Sequence, residues 1–323
     1  MTRSKSTVAV LFACSLLGLA ACEDGDDLPA PAPLDAGIAT DGGTLQPVTL
    51  RFKAKLGSED LVCGRTYAGQ GVTMINATPQ DFRFFVQEAY LLDAAGKEVR
   101  VEFDDGLPFQ TKDVALIDFT DATGSCGGTG GQTVNVTITG KVPPGTYNGI
   151  VLVNGVPETL NHGNPATAAQ PLRAPGASWD WLSGYRFVMA ELAPQAPGMD
   201  GGVPMPSGHG DAGAGDAGAG GHGGGPGSAS AIHVGSTGCT GMIGTAGAIT
   251  CAKPNRNRVK LTSFNPTTQS IVADLSAVFA NIDLAAGSQC HGMGASCPTG
   301  FAALGVDFAN GQAAATQTVF RVE

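Results

Sequence analysis

The chain is poor in the side chains most often used for catalysis and for nucleic-acid binding. Its 323 residues include five histidines, two tryptophans and four tyrosines, and only 14% are charged. Lys and Arg number 18 against 28 Asp and Glu, a formal charge of −10, so no basic excess exists to displace counterions from a phosphate backbone. Nucleic acid is therefore not an expected partner. No GxSxG elbow, HExxH, GxxxxGK[ST] or strand-to-helix GxGxxG occurs, which removes motif support for hydrolase, nucleotide and dinucleotide chemistry. The close CxxC pairs of a thiolate zinc site are missing too. Long apolar runs are absent: the stretch from Val8 to Ala21 falls short of the roughly 20 residues a membrane span needs.

That stretch follows Arg3 and Lys5 and ends in Leu19-Ala20-Ala21-Cys22, the order of a lipoprotein export signal. The expected organisation is a signal peptide over residues 1–21, acylation of Cys22, a disordered tether over 22–47, and a β domain over 48–323. Several acyl chains, each contributing about 0.8 kcal/mol per buried CH₂, would hold such a protein on a bilayer without a transmembrane helix. Glu23 after the acylated cysteine is compatible with the outer membrane, so a lipid-anchored location in the cell envelope is expected, on the periplasmic face of the outer membrane or exposed there.

Loss of the signal would take the charge to −12; nine acids and no base lie in the tether and in a second low-complexity stretch, leaving −3 on the remainder. That second stretch, residues 194–230, holds 14 glycines in 37 residues between two strand-like segments and reads as a disordered loop insertion at a hairpin tip. Closing so long a loop costs little more than closing a short one, because the penalty grows with the logarithm of length.

Setting aside Cys14 and Cys22 leaves six cysteines, an even number suited to three disulfides in an oxidising compartment. Fifteen connectivities are formally open; spacing favours Cys239–Cys251 and Cys290–Cys297 as local loops, leaving Cys63–Cys126. Period-two alternation marks Leu50, Phe52, Ala54 and Leu56, then Val99, Val101 and Phe103, then Val134, Val136 and Ile138 as inward faces of strands. Further strands are expected at 82–86, 114–119, 147–153, 185–192, 231–235 and 258–264, with a short helix at 271–281. The fold class is thus all-β, an antiparallel β-sandwich stapled by disulfides.

The candidate chemistry lies in few residues. His209 and His222 fall in the glycine-rich stretch, where no geometry is fixed. His162 follows a strand in a turn, His233 sits in a strand leading to Cys239, and His291 reads as a surface residue. Trp179 and Trp181 lie at i and i+2, on one face if the segment is extended. Each is individually compatible with a plain packing role. A histidine brace would need a free N-terminal histidine, and a blue-copper site a thiolate.

Together these segments resemble a known family, the MbnP-like periplasmic copper-binding proteins, also described as metallo-mystery-pair four-Cys-motif proteins. The resemblance runs from residue 49 to 320. It is carried by Arg51-Phe52-Lys53-Ala54 with Cys63-Gly64, Asp81-Phe82-Arg83-Phe84, Val114-Ala115-Leu116-Ile117-Asp118-Phe119 before Cys126, Pro144-Gly145-Thr146-Tyr147, and Leu160-Asn161-His162. It continues through Gln170-Pro171-Leu172, Trp179-Asp180-Trp181 with Gly184-Tyr185-Arg186-Phe187, His233-Val234-Gly235-Ser236-Thr237-Gly238-Cys239, and Cys251 with Pro254-Asn255-Arg256. It implies copper as cofactor, His162 and His233 as ligands, and a tryptophan, Trp181 ahead of Trp179, converted to kynurenine by a di-haem MbnH-like partner of the bacterial peroxidase and MauG kind. The ring-opened product carries an aryl amine that can face a metal, which indole nitrogen does poorly. A role in copper homeostasis without catalytic turnover follows; the alternative is a metal-free structural or adhesive β-sandwich lipoprotein.

Overall fold

The computed structural model describes residues 44–128, 133–180, 182–195, 227–242 and 249–323. The expected signal peptide, Cys22, all but the end of the tether, Trp181 and most of the 194–230 stretch lie outside the described residues.

Alternation produces the first strand. Along Gln46–Leu56, Leu50, Phe52 and Leu56 are buried while Arg51 and Lys53 are exposed, as a half-buried strand requires. This strand is central to a six-stranded sheet, flanked by Thr137–Val142 and Ile271–Asp274, with Glu102–Phe103 and Phe320–Val322 beyond and Glu59–Asp60 paired to its end. A nine-stranded sheet runs Asn257–Leu261, Tyr147–Asn154, Ile75–Asp93, Val188–Pro194, Ser230–Val234, Gln289–His291; Tyr67–Gln70, Glu98–Arg100 and Ala115–Asp118 also pair with the long Ile75–Asp93 strand. The sheets enclose one apolar core. Phe84 from the larger sheet meets Phe52 and Phe320 of the smaller at ring-centroid separations of 5.9 and 5.4 Å, both edge-to-face. Each fully buried phenylalanine contributes about 1.5–3 kcal/mol relative to exposure.

The sandwich is mixed rather than purely antiparallel. Ile271–Asp274 runs parallel to Gln46–Leu56, and Gln289–His291 runs parallel to Ser230–Val234. Both late strands are short additions at places reached after long excursions of chain, which a parallel pairing needs. The expected strand at 99–103 is divided: Glu98–Arg100 pairs in the larger sheet and Glu102–Phe103 in the smaller, so the chain changes sheets at buried Val101. Val134 and Val136 are 45% and 37% exposed, because regular pairing begins only at Thr137. The expected helix at 271–281 starts instead as the strand Ile271–Asp274, where β-branched Ile271 and Val272 fill the sheet, and becomes helical only at Leu275–Phe279. Asp274 caps that helix, its side chain accepting from Ser276 N at 3.1 Å.

Three disulfides are present with the pairing that spacing favours: Cys63–Cys126, Cys239–Cys251 and Cys290–Cys297. Val188–Pro194 and Ser230–Val234 pair antiparallel, so the two ends of the glycine-rich stretch lie side by side on neighbouring strands.

Candidate functional site

The larger sheet has a second buried face, turned away from the core. On Val188–Pro194, Val188, Ala190 and Leu192 join the main core, whereas Met189 joins a separate cluster with Phe85, Leu116, Leu172, Tyr185 and Phe187. Val156, Leu172, Ala177, Tyr185 and Phe187 pack on this outer face and exclude water from it. The alternation that sends Phe82 and Phe84 inward sends Asp81 and Arg83 outward, and Glu191, His233 and His291 follow by register. Glu191 lies opposite Asp81, Met189 lies between Arg83 and His233, and His233 lies beside His291.

These polar groups are buried and bonded. Arg83 donates to both oxygens of Asp81, from Nε at 2.7 Å and Nη2 at 2.6 Å, and from Nη1 to the Pro175 carbonyl at 2.8 Å in the covering segment. Burial pulls the Arg83 guanidinium down, but the Asp81 carboxylate more than offsets it and holds the group above its ordinary value. Asp118, opposite Arg83, is pushed up by burial against the hydrogen bonds from Thr120. His233, 2% exposed, places Nε2 2.8 Å from Glu191 Oε1 and Nδ1 2.9 Å from His291 Nδ1. The two imidazole rings are edge-to-face, with centroids 4.7 Å apart.

The tryptophan segment closes over the end of the same strand. Trp179 N donates to the Gly184 carbonyl at 3.0 Å and Gly184 N to the Asp180 carbonyl at 2.8 Å, forming a tight turn that Gly184 enables at φ +77°. Trp179 then rests on Gly235: a Cβ there would fall 2.4 Å from Trp179 Cζ3, so only glycine admits the indole. Gly235 is two residues beyond His233, which places the indole and the imidazole on one face. The Arg186 guanidinium carbon stands 5.7 Å from the indole ring centroid. Burial lowers the Arg186 pKa, and its Nε has no hydrogen-bond partner among the described residues.

His162 stands next to Asn161, whose side chain bonds this turn. It follows the short helix Glu158–Asn161, and its Nε2 lies 3.1 Å from Asn161 Nδ2 and 3.3 Å from Cys251 Sγ. Buried Asn161 ties the pieces together: Oδ1 accepts from Tyr185 N at 3.0 Å and Nδ2 also reaches Ser236 Oγ at 3.3 Å. Donor atoms of His162, Cys239 and Cys251 lie within 4.8 Å of one another, but the two sulfurs are joined in a disulfide and do not offer the thiolates a metal would take.

The tryptophan turn thus touches both segments, through Tyr185 N on Asn161 Oδ1 and through Trp179 on Gly235. The two imidazoles have separate partners: His162 is set by Asn161 and the Cys239–Cys251 bridge, His233 by Glu191 and His291. Trp179 lies in this arrangement, while Trp181 is outside the described residues. His291 departs from expectation, being half-buried against His233 rather than a surface residue. The signal for it was faint. In Gln289-Cys290-His291 the cysteine turns into the core and its neighbours turn outward, the same alternation as Ala231-Ile232-His233, but three residues are too few to reveal a strand.

Fold and site together define a disulfide-stapled, two-sheet β protein with a histidine and tryptophan cluster on one covered sheet face. The chain belongs to the MbnP family, whose model matches residues 45–292. It is also similar to a solved structure, MbnP from Methylosinus trichosporium, at 27% sequence identity and a TM-score of 0.66, over 86% of this chain and 98% of that one. No curated protein is significantly similar in sequence. The match includes both tryptophans, His162, His233 and His291, and stops short of Cys297 and the last strand, Phe320–Val322. Among the described residues no helix is long and apolar enough to cross a membrane, and three disulfides suit an oxidising compartment outside the cytoplasm.

Proposed function

We propose that this chain is a copper-binding protein of the cell envelope, tethered through an acylated Cys22, that carries metal and performs no turnover of its own. Its imidazoles supply the ligands, with His162 and His233 as the leading pair. A di-haem MbnH-like partner oxidises a tryptophan beside them to kynurenine. The observation that carries this reading is the seat of Trp179 on Gly235, two residues from His233 and within a turn bonded to Asn161, the residue next to His162. An indole opened at that place would carry its aryl amine on the side of the sheet that His233 also occupies.

The donor chemistry fits. Imidazole suits copper, and the thiols of the described cysteines are consumed in disulfides. A buried carboxylate on the far nitrogen of a ligating histidine, as Glu191 provides for His233, sets the tautomer and raises ligand basicity. This support attaches to Trp179; Trp181 stays the alternative site of modification. Copper in such a site supplies a tightly held, transferable ion for acquisition, storage or delivery within copper homeostasis.

Two measurements test the reading. Peptide mass spectrometry across residues 174–186 of protein from the native host should show kynurenine in place of one tryptophan. Unaltered Trp179 and Trp181 would end the modification claim. Metal-free protein titrated with Cu(I) and Cu(II) should bind one copper and gain thermal stability; no gain with either ion would favour the metal-free scaffold reading.

A further inference from the structure

We propose that Arg186 is a positioning residue for the oxidised tryptophan, its guanidinium donating to the ketone oxygen of a kynurenine formed at Trp179. The inference deepens the proposed tryptophan oxidation and rests on it for the conversion of that ring.

The placement comes from a short antiparallel pairing around the tryptophan turn. Ser178 bridges Tyr185, Arg186 N donates to the Ala177 carbonyl at 2.9 Å, and Trp179 N donates to the Gly184 carbonyl at 3.0 Å. Arg186 therefore lies opposite Ala177 and diagonal to Trp179 on one face of the ribbon, where long and aromatic side chains reach each other. Its guanidinium carbon stands 5.7 Å from the centre of the indole. The indole meets Gly235 through Cζ3 and Cη2 of its benzo half. That half survives ring opening, and the pyrrole half is the one that breaks.

Arg186 lacks an acceptor rather than a counter-charge. Its Nε is buried without a hydrogen-bond partner among the described residues. The two carboxylates whose charge reaches it are engaged elsewhere, Asp81 by Arg83 and Glu191 by His233. Set against the one further cation, Arg83, those carboxylates already leave a negative charge to balance its own. Another anion would meet their repulsion, whereas a neutral carbonyl supplies the missing acceptor without adding charge. The attraction of the guanidinium to the ring face replaces only part of the hydration that burial removes.

Ring opening makes such a carbonyl. Two molecules of hydrogen peroxide, the oxidant class of a peroxidase-like partner, break the Cγ–Cδ1 bond: the indole loses four electrons and takes up two oxygen atoms, and two waters leave. Hydrolysis of the resulting formamide releases formate and frees the aryl amine. The ketone oxygen is borne by the former Cγ, away from the half of the ring seated on Gly235, and it accepts from Arg186.

The test uses the full wild-type chain, ¹⁵N-labelled at arginine, in two forms: unmodified, from a host without the di-haem partner, and modified, from the native host. Between the first and the second, the Arg186 Nε–H resonance should move downfield and its exchange with water should slow about tenfold. Arg186→Lys, which keeps the charge, identifies the resonance. In modified protein Arg186→Met should move the long-wavelength absorption band of the aryl ketone to shorter wavelength, and Arg186→Lys should restore part of that shift. The comparison of the two wild-type forms decides the matter even where the methionine variant fails to fold. An unchanged Nε–H signal, with mass spectrometry placing kynurenine at Trp179, would overturn the inference and leave the modification standing. Kynurenine at Trp181 alone would overturn it with the tryptophan conversion intact, and kynurenine at neither position would end both.

Discussion

The two faces of the larger sheet are made from the same strands, residue by residue in alternation, and they obey different physical rules. Inward, Phe82, Phe84, Ala190, Ile232 and Val234 form a dry core held by area and packing. Outward, Asp81, Arg83, Glu191 and His233 are nearly as well buried but charged or polar, with Arg83 bonded to Pro175 of the covering segment and half-buried His291 beside His233. Buried ion pairs gain little or nothing over well-packed apolar residues of similar volume. A fold seeking only stability would thus have filled both faces with hydrocarbon. The outer face is a surface on which stability has been exchanged for positioned nitrogen and oxygen atoms, and the neighbouring tryptophan lies on the same side.

The contrast breaks if the inner face matters to binding or the outer one proves a mere packing layer. Phe84→Ala removes a ring in contact with Phe52, Phe82, Phe119 and Phe320 and should cost about 3–5 kcal/mol in urea unfolding, with copper affinity unchanged under folding conditions. On the outer face Arg83→Met should cost about the same, for a different reason: it strands the Asp81 carboxylate away from water. The double variant Asp81→Leu with Arg83→Met should recover most of that loss, a rescue that no second change could give Phe84→Ala. Replacing both Cys290 and Cys297 by serine should cost about 2 kcal/mol, as expected for a loop with a separation of only 7 residues.

Much of this contrast is legible in the chain. The alternation of Leu50, Phe52 and Leu56 and the spacing of six cysteines lead to strands and bridges that the structure contains. Trp179 and Trp181 at i and i+2 stand out too, although sequence cannot say that Gly235, far along the chain, receives the Trp179 ring. What escapes is decided by tertiary pairing. Gln289–His291 is strand only because Ser230–Val234 offers it an edge, so His291 has no local signal of burial. Val134 and Val136 alternate correctly and still face solvent, since their segment lies before the sheet begins. Glu191 looks like a surface acid on a strand until the covering segment is in place.

Smaller effects sharpen the comparison through pH. Asp118 on the outer face has its pKa raised by burial, so its contribution to stability is fully present below the ordinary carboxylate value and is lost as pH rises through the elevated one. Denaturant unfolding followed upward from acid pH should show that decline, and Asp118→Asn, which still accepts from Thr120, should remove this part of the slope.

The smallest effect belongs to Tyr185, whose ring packs edge-to-face on Phe85 in the outer cluster and whose hydroxyl is buried without a hydrogen-bond partner among the described residues. Burial pushes its pKa up to about 12. An unsatisfied buried hydroxyl contributes nothing to offset its desolvation, so Tyr185→Phe should leave stability unchanged or raise it by up to about 1 kcal/mol at neutral pH. Above the ordinary value of 10.0 the unfolded chain loses this proton first, so the wild-type protein should weaken as pH climbs toward 12, and the variant should lack that component. A loss of more than about 1 kcal/mol at neutral pH would mean that the hydroxyl is bonded after all, and that the outer face is satisfied throughout. The outer cluster would then be a polar network kept for stability, and its histidines would lose their claim to be there for a ligand.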